Sequence, residues 1–376
     1  MEFQYHLPVD LVFGRGKSDL IGEKAAGIGK RALIVTGGNS TKRSGLLDKT
    51  EELLRENGVS CVLFDQVTPN PLTTTIYEGA ELAKAQNCDL VIALGGGSSI
   101  DAAKGIAFQA VNGGDINEYI FGRAFSDKAL PIVAVPTTCG TGSEGNGFSV
   151  MTNPDTMDKK SLRCNAIVPT CSIIDPLLMT TMPKSILASV GFDALCHNME
   201  AFLSASVQPL TAMQALEGIR MSARSLVSVY EDSSDVDGWD ELCLASTLGG
   251  MVIGVSGVTA PHGMEHPASG LMDIVHGKGL AALTPVVFRH TLPAGEEKFG
   301  VISKLLGGSK PSDVVELLES LLQRLHLTTT LGECGITEDQ IPWMVSNCLK
   351  VSIGGLKAHP KFFDADELAE IYREAL

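Results

Sequence analysis

Asp193 and His197 stand four residues apart, as do His262 and His266, and His276 follows ten residues after His266. On a helix, positions i and i+4 share a face, so each pair can aim two side chains at one point. One carboxylate with three imidazoles is a competent donor set for Fe2+ or Zn2+. It is a poor one for Mg2+ or Ca2+, which prefer oxygen shells. A lone histidine is more often a hydrogen-bonded core residue; four of them with an aspartate at these spacings point to a metal. A competing pattern overlaps the set. His262-Gly263-Met264-Glu265-His266 matches H-x-x-E-H, in which two helical histidines bind zinc and the glutamate serves as the base of a peptidase. That pattern leaves Asp193 and His197 without a role, and Gly263 with Pro267 disfavours a regular helix there.

Glycine-rich turns form a second group. Gly95-Gly96-Gly97-Ser98-Ser99 follows a β-like run and opens a helix, where free N–H groups and the helix dipole favour a phosphate. Gly140-Thr141-Gly142-Ser143-Glu144-Gly145 spells G-x-G-x-x-G, but no helix follows it. It fits a hydroxyl-rich loop beside a nucleotide better than a dinucleotide fingerprint. Gly37-Gly38-Asn39-Ser40 ends another β-like run and precedes Lys42 and Arg43. NAD sites commonly hold the adenosine ribose with a carboxylate near a strand end; small residues with two cations nearby suit a 2′-phosphate, hence NADP rather than NAD.

These groups need elements to carry them. Strands are expected at Ala32–Thr36, Ser60–Phe64, Leu90–Leu94 and Pro131–Val135, alternating with helices over Leu46–Glu56, Thr75–Gln86 and Ser99–Val111. That alternation predicts a parallel sheet with helices on both faces, and ligands bind at the carboxyl ends of such strands. Beyond Ile173-Ile174-Asp175-Pro176 only helical patterns are found, such as Val314, Leu317, Leu318, Leu321, Leu322 and Leu325, and a last helix capped by Asp364. A helix through Gly191–Phe202 would carry Asp193 and His197. The division is placed near residue 180: an α/β, Rossmann-like dinucleotide-binding domain over 1–180 and an all-helical, metal-binding domain over 181–376. A chain of 376 residues is long enough for two cores. Leu242 to Ala260 is uncharged but holds four glycines with serines and threonines, and is expected to be one buried, closely packed helix rather than a membrane span.

Composition excludes several classes. The charge sum, 29 − 44 = −15, and the absence of a Lys/Arg run argue against nucleic acid. Nine cysteines with no C-x-x-C pair suggest reduced thiols and a cytoplasmic setting. The N-terminus has neither the basic nor the apolar stretch of a signal peptide.

Taken together, Pro69-Asn70-Pro71, Gly95 to Lys104, Pro136-Thr137-Thr138 through Glu144, Asp175-Pro176, Gly191 to His197, His262 to Pro267 and Ile274 to Gly277 resemble the iron-containing (group III) alcohol dehydrogenases. The likeness runs nearly end to end, and Asn146-Gly147 and the last block look most like the butanol-dehydrogenase branch. The resemblance implies a dehydroquinate synthase-like fold and, as partners, a small alcohol or aldehyde and a second copy of the chain in a dimer. It implies Asp193, His197, His262 and His276 as ligands of Fe2+, with Zn2+ the alternative. His266 matches a family histidine near the site that is not a ligand and could relay a proton. Asn70, Gly96, Gly97, Ser98, Thr137, Thr138 and Lys159 match cofactor-contacting positions, joined by Gly37, Gly38, Asn39 and Ser40 at the ribose. Gly37 replaces the aspartate of NAD-preferring members, which favours NADP with NAD the alternative. The implied reaction is hydride transfer between a nicotinamide and a small primary alcohol or short aldehyde, with the metal as Lewis acid. No arginine cluster marks an anion pocket: from Asp193 to His276 the basic residues besides histidine are Arg220 and Arg224. A polar or acidic aldehyde, or a non-redox synthase of the same superfamily, is the alternative.

Overall fold

The computed structural model describes residues 2–376. Its strands are β1 (Asp10–Phe13), β2 (Arg31–Gly37), β3 (Ser60–Val67), β4 (Leu90–Gly95), β5 (Ile132–Pro136), β6 (Phe148–Asn153), β7 (Asp158–Arg163) and β8 (Cys171–Ile174). Six of them form one parallel sheet in the order β1-β8-β5-β4-β2-β3, and β6 and β7 form an antiparallel hairpin. The helices of this half are α1 (Ile21–Ala26), α2 (Ser40–Arg43), α3 (Leu46–Glu56), α4 (Thr73–Ala85), α5 (Gly97–Asn112) and α6 (Ile116–Ile120).

The central strands are near-continuous apolar runs because both sheet faces are covered. Leu33, Val35, Val91 and Ala93 pack with Ile76, Ile100 and Phe108 from α4 and α5. Their neighbours Ala32, Ile34, Leu90 and Ile92 point the other way, onto Ile21, Leu47 and Leu54 from α1 and α3. From β2 the chain steps to β3 on one side and then to β4 on the other. The carboxyl ends of β2 and β4 therefore flank a topological switch point, where such sheets bind ligands.

After Ile174 no strand occurs among the described residues. The rest is α7 (Lys184–Leu203), α8 (Pro209–Glu231), α9 (Val236–Ser256), α10 (Ala260–Met272), α11 (His276–Leu305, bent at Gly295), α12 (Asp313–Arg324), α13 (Ile341–Val351), α14 (Ile353–Ala358) and α15 (Ala365–Glu374). Asp364 caps α15 as its sequence suggests, accepting from the backbone N–H groups of Asp366 and Glu367.

Two expectations about this half need correction. The apolar run from Leu242 to Ala260 is not one helix: α9 stops at Ser256, Gly257 takes φ 72°, and α10 leaves at 100° to α9. No single described helix is long and apolar enough to cross a membrane. Conversely, α10 is helical despite Gly263 and Pro267. Pro267 cannot donate to the carbonyl of Gly263 four residues back, and the Cys348 thiol of α13 supplies that bond at 3.2 Å.

The glycines of α9 serve a close approach, to a loop as well as a helix. The segment Gly140–Gly145 lies against α9, and a Cβ on Gly250 would overlap the Gly142 carbonyl; a Cβ on Gly249 would come within 3.2 Å of His197 Cβ on α7. Thr247 donates to Glu144 at 2.7 Å and Asn146 donates to the Gly250 carbonyl at 3.1 Å. Gly250→Ala should therefore cost about 1–3 kcal/mol or more by overpacking. Gly354→Ala, on α14 with open space around its Cβ, should be neutral or stabilising by up to about 1 kcal/mol. Urea denaturation midpoints of the two variants check the contrast, and equal midpoints would show that the α9 contact is not limiting.

Candidate metal centre and cofactor cleft

α7 places Asp193 and His197 one turn apart, α10 supplies His262, and His276 opens α11. Ligand atoms of Asp193, His262 and His276 all lie within 4.8 Å of one another. Asp193 Oδ1 is 3.3 Å from His262 Nε2 and 3.8 Å from His276 Nε2. His197 stands beside this trio: its ring stacks on His262 at 4.5 Å, and its Nδ1 is 3.6 Å from Asp193 Oδ1.

The tautomers can be read from what holds each ring. His197 Nδ1 lies 3.3 Å from the Gly140 carbonyl, which can only accept, so Nδ1 carries the proton and Nε2 is free. His262 Nδ1 lies 2.5 Å from Glu200 Oε1, while Glu200 Oε2 accepts from the Thr259 backbone N–H at 2.7 Å. His276 Nδ1 lies 2.6 Å from Glu265 Oε2, although the approach is too bent for a linear hydrogen bond. Each of the three imidazoles thus has an oxygen beside Nδ1, and the Nε2 atoms of His262 and His276 turn toward Asp193 at 3.3 and 3.8 Å. That is the arrangement carboxylates and carbonyls impose on metal-binding histidines. The residues fit a divalent ion.

The electrostatics agree. Burial opposes the charge on Asp193, yet His197, His262 and His276 hold its carboxyl well below the usual range. Burial also works against a charged His262, but Glu200 and Asp193 outweigh it and push the imidazole up to about 10. For His197 burial wins, taking it down to about 4.

His266 lies outside the converging ligand atoms, its ring 6.5 Å from His262 and 6.0 Å from His276. Burial keeps it neutral, well below the ordinary histidine value. Glu265, the base of the peptidase pattern, is turned away from that role: it accepts from Ser269 and faces His276 and Lys159.

One cavity joins these groups to the glycine turn, since Gly97, Ser98, Asn70 and Lys159 line it together with His262, His266 and His276. Gly96 caps α5 against Thr138, where a Cβ would meet Oγ1 at 2.9 Å. Asn70 also ties the first half to the loop before His276, donating to Asp273 Oδ1 at 2.7 Å. A second cavity, past the ends of β2 and β5, is lined by Ser40, Arg43, Lys49, Thr137 and Thr138. Gly38 and Asn39 line neither. Gly37 is fixed by packing, since a Cβ there would collide with the Val67 carbonyl of β3. An aspartate therefore cannot simply be restored at this position. Of the two cations near this turn, Lys42 pairs with Asp65 at 2.5 Å, and Arg43 has no carboxylate partner among the described residues.

Sequence reasoning missed the groups behind the ligands. Asp193, His197 and Glu200 fall at i, i+4 and i+7, one helical face, which signals Glu200. The two buried charged groups of α5 had a signal too, as Asp101 and Lys104 are i and i+3 and meet through the Ser143 hydroxyl. Lys104 is fully buried, donates to the Ser143 carbonyl at 2.6 Å and to the Phe148 carbonyl at 2.8 Å, and is lowered by burial to about 8. Asp101 accepts from Ser143 Oγ at 2.5 Å.

Comparison with known proteins agrees over the whole chain. The family model for iron-containing alcohol dehydrogenase matches residues 8–176, and that for the C-terminal part of the Fe-containing alcohol dehydrogenase family matches residues 187–376. The chain is 35% identical to 1,3-propanediol dehydrogenase of Citrobacter freundii, covering 99% of this chain and 98% of that protein. It is 30% identical to NADH-dependent butanol dehydrogenase A of Clostridium acetobutylicum, covering 100% of both. An archaeal halo-thermophilic alcohol dehydrogenase from a Red Sea brine pool has the same fold, with a TM-score of 0.96 at 33% identity over 100% of this chain and 99% of that one.

His262→Ala and His276→Ala should each abolish stoichiometric metal binding while the chain stays folded, and Glu200→Gln should weaken binding about 10–100-fold. Metal analysis after dialysis, with a chelator titration for the glutamine variant, reads both. Full metal retention in the two alanine variants would remove these residues from the ligand set.

Proposed function

The chain belongs to the iron-containing alcohol dehydrogenase family, and on that premise we propose that it interconverts a short primary alcohol and its aldehyde using NADP. A divalent metal, iron before zinc, would be held by Asp193, His262 and His276, which converge, with His197 beside them. The observation that carries this reading is the single cavity lined by both the glycine turn of α5 and the histidines of α10 and α11. When bound, the metal supplies Lewis acidity to the substrate oxygen and the nicotinamide supplies hydride chemistry.

The chain's own groups do the rest. The free N–H groups at the start of α5 receive the pyrophosphate, which Gly96 and Gly97 allow to approach the backbone. Thr137 and Thr138, after β5, offer hydroxyls along the dinucleotide. Gly140 and Glu200 accept at Nδ1 of His197 and His262, and Glu265 stands against Nδ1 of His276, so each ring is backed by an oxygen. Phe148, Val150, Met151, Ile253 and Val258 line the cavity with apolar surface and exclude water from the reacting atoms. His266, kept neutral, can take up the alcohol proton at a ring nitrogen and return it in the reverse direction.

NADP is favoured over NAD by Arg43. It stands at the cavity past β2 with no carboxylate partner among the described residues, where a guanidinium can bind a 2′-phosphate through two N–H groups. The carboxylate that would repel that phosphate is missing at Gly37.

Loss of NAD(P)H absorbance in anaerobic turnover of short aldehydes by metal-loaded protein tests the activity; no loss across a broad aldehyde panel would overturn it. For the cofactor, Arg43→Ala should weaken NADPH binding about tenfold, or about 1.4 kcal/mol, and leave NADH binding nearly unchanged. Fluorescence titration of each nucleotide measures this, and a wild type that binds NADH more tightly than NADPH would refute the NADP assignment.

A further inference from the structure

The cleft carries more positive charge than an uncharged alcohol requires. On β7 the period of two puts Lys159, Ser161 and Arg163 on one face, and all three line the catalytic cavity with the histidines. Beyond Arg163 and His266 a further cavity of about 290 Å³ adjoins the first, sharing Ser161, Arg163, Val258 and His266 with it. Lys160 and Ser352 line this second space, and no aspartate or glutamate does.

Lys159 faces the Glu265 carboxylate, but Arg163, Lys160 and Ser352 have no carboxylate partner among the described residues. Arg163 stacks over the Phe148 ring at 4.4 Å and has no carboxylate partner among the described residues. Lys160 Nζ donates to the Val351 carbonyl at 2.6 Å and lies 5.6 Å from the Phe121 ring centre, again with no carboxylate. Ser352 Oγ is buried with no hydrogen-bond partner. By contrast, the neighbouring cations Arg123 and Lys350, near the same Phe121 ring, are paired with Glu118 and Asp158. In a chain of net charge −15, two cations, Lys160 half-buried and Arg163 exposed at the rim, stand unpaired around one acid-free space. The cofactor does not need them: its pyrophosphate has the start of α5, and its ribose has the cavity past β2.

We propose that the substrate is an aldehyde, or the matching alcohol, bearing an anionic group, a carboxylate or sulfonate. Arg163 and Lys160 bind that group while the oxygen end faces His262 and His276. A guanidinium presents two parallel N–H donors to such a group, Lys160 adds a point charge, and the Ser352 hydroxyl gains an acceptor. The apolar stretch between, from Phe148 and Val258, suits a short methylene linker. The absence of an arginine cluster between Asp193 and His276 had suggested an uncharged substrate; the cations come instead from the hairpin of the first half. This inference rests on the dehydrogenase reading and narrows it.

The test uses matched pairs on the metal-loaded enzyme with NADPH and with NADH: succinic semialdehyde against butanal, and sulfoacetaldehyde against propanal. The acidic member of at least one pair should have a kcat/KM higher by about tenfold or more, mostly through KM, and the advantage should shrink with added salt. Arg163→Met should narrow the ratio by about tenfold or more and Arg163→Lys by less, since lysine keeps the charge but loses the fork. Calorimetric titration of wild type with succinate and with ethanesulfonate gives a readout independent of turnover, and Arg163→Met should abolish that binding. A preference for the neutral aldehyde in both pairs, or a ratio unmoved in Arg163→Met, overturns the inference. Anion binding without turnover of any aldehyde would instead sink the dehydrogenase reading and leave the anion site standing.

Discussion

Asp193 is a carboxylate sealed inside protein, and such a charge is tolerated only where opposite charge and hydrogen bonds surround it. Imidazoles from three helices do so here, and each of those rings is itself held from behind. Glu200 is buried behind His262 and fastened by the backbone of Thr259, the residue before α10. Glu265 is buried behind His276 and fastened by Ser269 one turn along α10. Three buried carboxylates and three ring systems must therefore balance in one small volume. The approach of α7, α10 and α11 is fixed by that balance as much as by apolar packing. A divalent cation between Asp193 and the Nε2 atoms that face it would complete the balance, which is why the proposed metal follows from the placement of the carboxylates behind the rings as well as from the choice of ligands.

The loop from Gly140 to Asn146 transmits the same constraint to the nucleotide half. Its first residue accepts from His197. Ser143 and Asn146 receive the buried Lys104 of the helix that begins at the glycine turn. Glu144, raised by burial, is held by Thr247 of α9. One short segment thus touches a metal-ligand candidate, the helix that would carry the phosphate, and the glycine face of α9. A shift in any of these partners would be felt by the others, because closely packed backbones and buried hydrogen-bonded charges leave little room to adjust. The G-x-G-x-x-G spelling of this loop has a packing cause: Gly142, at φ 57°, and Gly145 sit against α9 where side chains would collide.

Much of this was legible in the sequence because local rules and tertiary demands coincided. β2, β4 and β5 are buried on both faces and read as plain apolar runs, and α3 begins and ends where its leucine spacing does. Where the two disagreed, sequence reasoning failed. α10 keeps its helix through Pro267 because a thiol from α13 supplies the missing donor, a partner 81 residues away that no window could contain. α9 and α10 read as one apolar run because nothing but Gly257 marks a sharp turn there. The strand β7, Asp158 to Arg163, is too polar to look like a strand; its cations face a cavity that only the folded chain creates. The acceptors behind the histidines were missed because a glutamate in an apolar helix is informative only once its face is known.

Those failures are not scattered at random. The metal candidates lie on helices whose buried charges must all balance, so their types and spacings are tightly constrained and easily read. Lys160 and Arg163 lie on a two-stranded hairpin outside the main sheet, where a change of side chain disturbs neither the sheet register nor the carboxylate–imidazole network. A fold arranged this way can hold the hydride-transfer chemistry constant and alter the far end of the substrate by substitution on β7 alone. On that logic, a family likeness running from end to end identifies the reaction, while under the proposed anion site the choice among alcohols would be written in a short, polar, locally unremarkable strand.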